Sequence, residues 1–178
     1  MNVKVILKDG SEVTLARWQE IYGIANEHIG RNFQLTESRF KSDLALYGEL
    51  VVNELLMRVL DSFRESVGVS VTINSFNRSQ EKQDELTAEG FKTAKVSPHV
   101  AKMAADIDTK TVEQTREWAK RLKVVGKLLG IKVRVGSEQY IKAGQTFVHV
   151  DVCAEFYGPG KPFHNIPHPI QWEREVSW

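Results

Sequence analysis

Residues 146–153 read TFVHVDVC, and no other stretch constrains the fold of this chain as tightly. Strict alternation at a period of two marks a β-strand with two unlike faces. One face carries Val148, Val150 and Val152, and the other carries Phe147, His149, Asp151 and Cys153. A strand with that pattern needs neighbours on both edges and a cover on its valine face, so the rest of the sequence is read for what could supply them.

Several segments qualify. Residues 111–130 form an amphipathic helix in the spacing of Thr115, Trp118, Leu122, Val125 and Leu129, with a glycine at the end, and 131–135 follows as a strand. A second core helix is predicted by the stripe Val52, Leu55, Leu56, Val59, Leu60 and Phe63, ending near Gly68. Residues 69–74, VSVTIN, are short and β-branched, which favours a buried strand that delivers Ser75, Asn77 and Arg78 at its end. Residues 81–97 are polar and weakly periodic, fitting one or two helical turns and then a loop. Near the start, Trp18, Ile21, Tyr22, Ala25 and Ile29 recur at helical spacing across 15–29, with Gly30 as the stop. Residues 1–14 read as a β-hairpin turning at Asp9 and Gly10, an appendage to one domain spanning 15–178. The tail after Gly158, rich in Pro, Gly and His and ending in Trp172 and Trp178, is expected to wrap the surface. Strands and helices in this order predict an α+β domain with a small antiparallel sheet flanked by helices.

Composition removes several functions. At 178 residues the chain has room for one sizeable core. Its 24 basic and 23 acidic residues balance, so there is no broad positive field for a nucleic-acid backbone. No apolar run has the length of a membrane span, and the first residues lack the pattern of a secretion signal, so a soluble chain, cytoplasmic as synthesised and monomeric, is expected. Cys153 is the single cysteine and, within an apolar strand, reads as a structural thiol.

The chemistry concentrates in SPHVAKMAADID, residues 97–108, where His99 and Asp106 stand a short loop apart. Imidazole nitrogen and carboxylate oxygen are both good zinc ligands, and His149 on a strand beside Asp106 would complete three, leaving a fourth position open. On the residues alone, His149 can equally be a satisfied core histidine and Arg78 a surface ion-pair partner.

Three matches go further. Ser97, His99, Ala104, Asp106 and Ile107 fit a Ser-x-His motif followed by Asp-Ile; Phe147 to Val152 fit Phe-Val-His-Val-Asp-Val; and Ile73 to Ser79 fit a strand ending in Arg-Ser. In these, over about residues 33–153, the sequence resembles the zinc D-alanyl-D-alanine carboxypeptidases and L-alanyl-D-glutamate endopeptidases, whose fold is shared with Hedgehog signalling domains. The segment NFQLTESRF, 32–40, resembles the lead-in of phage-associated members. The resemblance implies a Zn²⁺ ion on His99, Asp106 and His149, a peptidoglycan stem-peptide substrate, and Arg78 with Ser97 positioning that substrate or the developing oxyanion. A phage lysis enzyme fits the layout, and a non-catalytic wall-binding or particle module on the same scaffold is the alternative.

Two positions depart from the pattern. Lys102 stands where the family usually has glycine, and Thr146 where many members carry the acid, three residues before the second histidine. A general base is still needed to move the proton of the attacking water. Glu138 is the expected base if 135–150 turn back as a hairpin near Gly144, with Asp151 as competitor or as the group that orients His149. Asp108 is expected to cap the helix beginning near Thr111, and His164 and His168 to be solvated.

Overall fold

The computed structural model describes residues 2–90 and 97–165. Trp172, Trp178 and His168 lie outside them. Among the described residues, two sheets and six α-helices form the expected α+β architecture.

The larger sheet is antiparallel, in the order β4 (Ile73–Ser75), β5 (Ala104–Asp108), β7 (Phe147–Asp151), β6 (Arg134–Gly136). The strand with the unlike faces is therefore interior, paired on both edges. Its valines join Ala105 and Ile107 of β5 in the hydrophobic core. Helix α5 (Val112–Leu129) packs on β6 and β7 and adds Trp118, Leu122 and Val125 to that core. The ends of α5 follow local chemistry. Thr111 Oγ1 accepts from the Gln114 amide at 3.1 Å, and Gly130 closes the helix in the left-handed region. Gly126 lets the helix approach β6, since a Cβ there would lie 2.7 Å from Val133.

The smaller sheet has the order β2 (Glu12–Thr14), β1 (Val3–Ile6), β3 (Leu50–Asn53). The hairpin expected as an appendage thus supplies the sheet's central strand, because β1 also pairs in parallel with β3, and Val3, Val5 and Ile6 are core residues. From β3 the chain enters α3 (Glu54–Val67), capped by Asn53 Oδ1, which accepts from the amides of Leu55 and Leu56. Val5 and Val150 belong to one continuous cluster that spans both sheets.

Helix α1 (Leu15–Tyr22) is shorter than its apolar spacing predicts. Gly23 takes φ +61 and ends it, and Ile29 is buried from an irregular segment in which Trp18 Nε1 donates to its carbonyl at 3.0 Å. Helix α2 (Ser38–Tyr47) packs on β3 and β4. The polar stretch after Arg78 forms α4 (Gln80–Ala88), capped by Ser79. Between β6 and β7 the chain makes α6 (Glu138–Lys142) rather than a plain hairpin turn. Among the described residues, no helix is long and apolar enough to cross a membrane.

Candidate metal centre

Pairing places a row of side chains across the larger sheet. Ser75 lies opposite Asp106, Asp106 opposite His149, and His149 opposite Gly136. These positions occupy the face away from the valines, since cross-strand partners share a face. His99 reaches the row from the turn before β5. There Ser97 Oγ accepts from the His99 amide at 3.2 Å, and the Met103 amide bonds the Pro98 carbonyl at 3.0 Å.

His99, Asp106 and His149 converge in the interior. They are only 3%, 8% and 2% exposed, and each offers a ligand atom within 4.8 Å of the others. Asp106 lies between the rings, with Oδ1 2.8 Å from His149 Nδ1 and Oδ2 3.2 Å from His99 Nε2. The far nitrogen of each ring is already committed. His99 Nδ1 is 2.8 Å from the Phe76 carbonyl oxygen, and His149 Nε2 is 3.3 Å from Asp151 Oδ2. Both partners are acceptors, so these nitrogens carry the protons of neutral rings. The nitrogens facing Asp106 then present lone pairs to a carboxylate. Such contacts repel unless a cation is shared, either a proton on each ring or one metal ion held by all three groups. Two imidazoles and a carboxylate, each ring oriented by an acceptor behind it, form a donor set that fits zinc. The group is able to hold a metal ion.

The electrostatics agree. Burial alone would raise the Asp106 pKa, but the neighbouring imidazoles of His99 and His149 hold it well below the usual carboxylate range. For His149 burial pulls downward, and its bonds to Asp106 and Asp151 reverse the sign, leaving it above 6.5. Asp151, fully buried, is also lowered against the push of burial, by His149 and Arg134.

Arg134 is the residue that sequence reasoning missed. Its Nε donates to both oxygens of Asp151, at 2.9 and 3.1 Å, and the Cys153 amide donates to Oδ1 at 3.0 Å. Asp151 is thereby held as a fixed acceptor behind His149. The signal that would have found Arg134 is register, since it pairs with Asp151 on β7. Cys153 is buried, and burial raises its thiol well above the ordinary range, which suits an inert core residue.

The remaining expected residues divide. Ser97 is buried in the His99 turn. Arg78 is half-buried, with Nη1 on Gln83 Oε1 at 2.8 Å and Nη2 3.3 Å from Ser75 Oγ, itself 3.5 Å from His99 Nδ1. Arg78 thus stands at the edge of the centre. Glu138 does not join it. At the start of α6 it is paired with Arg116 of α5, 2.7 Å from Nε, which lowers its pKa. His164 is exposed.

Asp108 is not the cap of α5; Thr111 is. It shares the face of Asp106, two residues away, and its carboxylate has no hydrogen-bond or ion-pair partner among the described residues. It is exposed and lies opposite Phe147, while the Thr109 amide bonds the Thr146 carbonyl at 3.1 Å. Asp108 thus places a carboxylate near Thr146, from the neighbouring strand. Burial, then the charge of Asp106, raises the Asp108 pKa.

The fold has a counterpart among solved structures. The crystal structure of Serratia marcescens L-Ala D-Glu endopeptidase ChiX superposes with a TM-score of 0.50 at 20% identity, covering 65% of this chain and 86% of that one. The two share a fold. No protein-family model matches the sequence, and no curated protein does.

Proposed function

We propose that this protein is a zinc-dependent peptidase that hydrolyses an amide bond in peptidoglycan stem peptides. The observation that carries the reading is the convergence of His99, Asp106 and His149 on one point, with the outward nitrogen of each ring already fixed. The fold shared with an L-Ala D-Glu endopeptidase supports the substrate class.

His99 Nε2, His149 Nδ1 and Asp106 would hold the ion. A bound zinc supplies Lewis-acid chemistry, polarising the scissile carbonyl and making a water nucleophilic near neutral pH. The chain's own residues do the rest. Asp151, held by Arg134, and the Phe76 carbonyl keep the two rings in the ligand tautomer. Asp108 is the group we assign to proton transfer: its carboxylate is accessible, unpaired and on the face of the ligands, and it would accept the proton of the attacking water and return it to the leaving amine. Glu138 would first have to leave Arg116, and Asp151 has its oxygens filled, so neither is as well placed. Arg78, beside Ser75, offers a guanidinium to a substrate carboxylate or to the developing oxyanion, and Ser97 shapes the turn that presents His99.

The test is release of new amino groups from purified peptidoglycan. Release that stops with chelator and returns with zinc supports the reading. A zinc-loaded protein that binds the wall without releasing amines would instead mark a binding module on this scaffold.

A further inference from the structure

Lys102 takes a left-handed backbone conformation, φ +63, that costs a residue with a Cβ and that glycine adopts freely. The side chain returns something a glycine could not. Its Nζ donates to the Arg78 carbonyl at 2.8 Å and lies 5.6 Å over the ring of Tyr47. Its own amide meanwhile bonds the His99 carbonyl at 3.1 Å. One residue therefore joins the turn that carries a ligand histidine to the loop that carries the arginine. The connections close into a circuit: from His99 through the Lys102 backbone and ammonium to Arg78, from the Arg78 guanidinium to Ser75 Oγ, and from Ser75 back to the His99 ring.

We propose that Lys102 is a positioning residue, pinning the Arg78 loop to the His99 turn so that the guanidinium is presented beside the metal centre for the substrate's carboxylate or carbonyl. The inference rests on the peptidase reading for what Arg78 binds, but the pinning itself is independent of turnover. Burial lowers the Lys102 pKa, in keeping with an ammonium drawn in from solvent. A glycine would relieve the backbone and leave the Arg78 carbonyl without this donor.

Three variants of the zinc-loaded full chain test it. Lys102→Met keeps the strain and loses the donor, Lys102→Gly loses both, and Lys102→Arg keeps a cationic donor. With an L-Ala-γ-D-Glu stem tripeptide as probe, Lys102→Met and Lys102→Gly raise KM about fivefold to tenfold with kcat within about twofold, a fraction of what a charge-assisted hydrogen bond contributes. Lys102→Arg stays near wild type, and the Tm of Lys102→Gly is at or above that of wild type. Hydrogen exchange needs no substrate: the amides of 77–79 exchange faster in the Met and Gly variants and recover in the Arg variant. Unchanged exchange there, or zinc affinity falling in step with KM, overturns the proposal. A wild-type protein that cleaves nothing overturns the peptidase reading instead, and leaves the exchange comparison standing.

Discussion

Asp61 in α3 and Asp106 in β5 are both carboxylates buried to nearly the same degree, and they serve opposite ends. Asp61 accepts from the backbone amides of Arg31 and Asn32, each at 2.8 Å, and so fixes an irregular loop on the helix. Burial, the largest influence on it, raises its pKa despite those bonds. Asp106 faces two imidazoles, which lower its pKa against the same push of burial. Burial therefore does not tell the two apart. What separates them is the partner: backbone amides are permanent donors that complete a bond, whereas rings already committed on their far side leave lone pairs awaiting a cation.

Removing each carboxylate should break that contrast or sharpen it. Asp106→Ala, like His149→Ala, is expected to lower peptidase activity by at least about a thousandfold and to abolish stoichiometric zinc uptake. Asp61→Ala leaves two amides without their acceptor and should cost about 2–4 kcal/mol of unfolding free energy in denaturant titration, with zinc affinity unchanged. Zinc loss in the Asp61 variant would erase the distinction. Next in size, Asp108→Asn should reduce kcat by about 10²- to 10⁴-fold while zinc binds as in wild type, measured by single-turnover cleavage and calorimetry. Full activity in that variant would remove Asp108 from proton transfer. Asp151→Asn loosens the acceptor behind His149 and should weaken zinc binding about 10- to 100-fold in competition with a chelating dye. The smallest effect belongs to Glu138→Gln, which opens a surface pair with Arg116 and should leave kcat within about twofold.

Much of this was legible in the sequence because it is local. Alternation placed His149 and Asp151 on one face of β7, Thr111 and Gly130 bounded α5, and the short spacing from His99 to Asp106 let both reach the same point as His149. What escaped depends on pairing between distant segments. β1 meets β3 through contacts some 47 residues apart, as in Val3 with Leu50, which no hairpin signal foretells. Arg134 is revealed by its register with Asp151. Glu138 was expected on a hairpin, but residues 138–142 make a helical turn and Arg116 claims its carboxylate. The positive φ at Lys102 is a backbone property that a lysine in the sequence conceals.

The central claim is that the two rings offer particular nitrogens, His99 Nε2 and His149 Nδ1, to one ion. Nitrogen NMR of the histidine side chains during zinc titration tests it most directly, and pH adds a control. The raised pKa of His149 contributes stability that is present below 6.5 and lost as pH rises through the raised value. The metal-free protein should therefore lose Tm as pH rises from 6.5 through the raised value, while the increment from zinc, which needs unprotonated rings, grows over the same range. The account predicts one zinc per chain, shifting His99 Nε2 and His149 Nδ1 while His99 Nδ1 and His149 Nε2 keep their protons. Zinc on the opposite nitrogens, or no uptake at saturation, would contradict it.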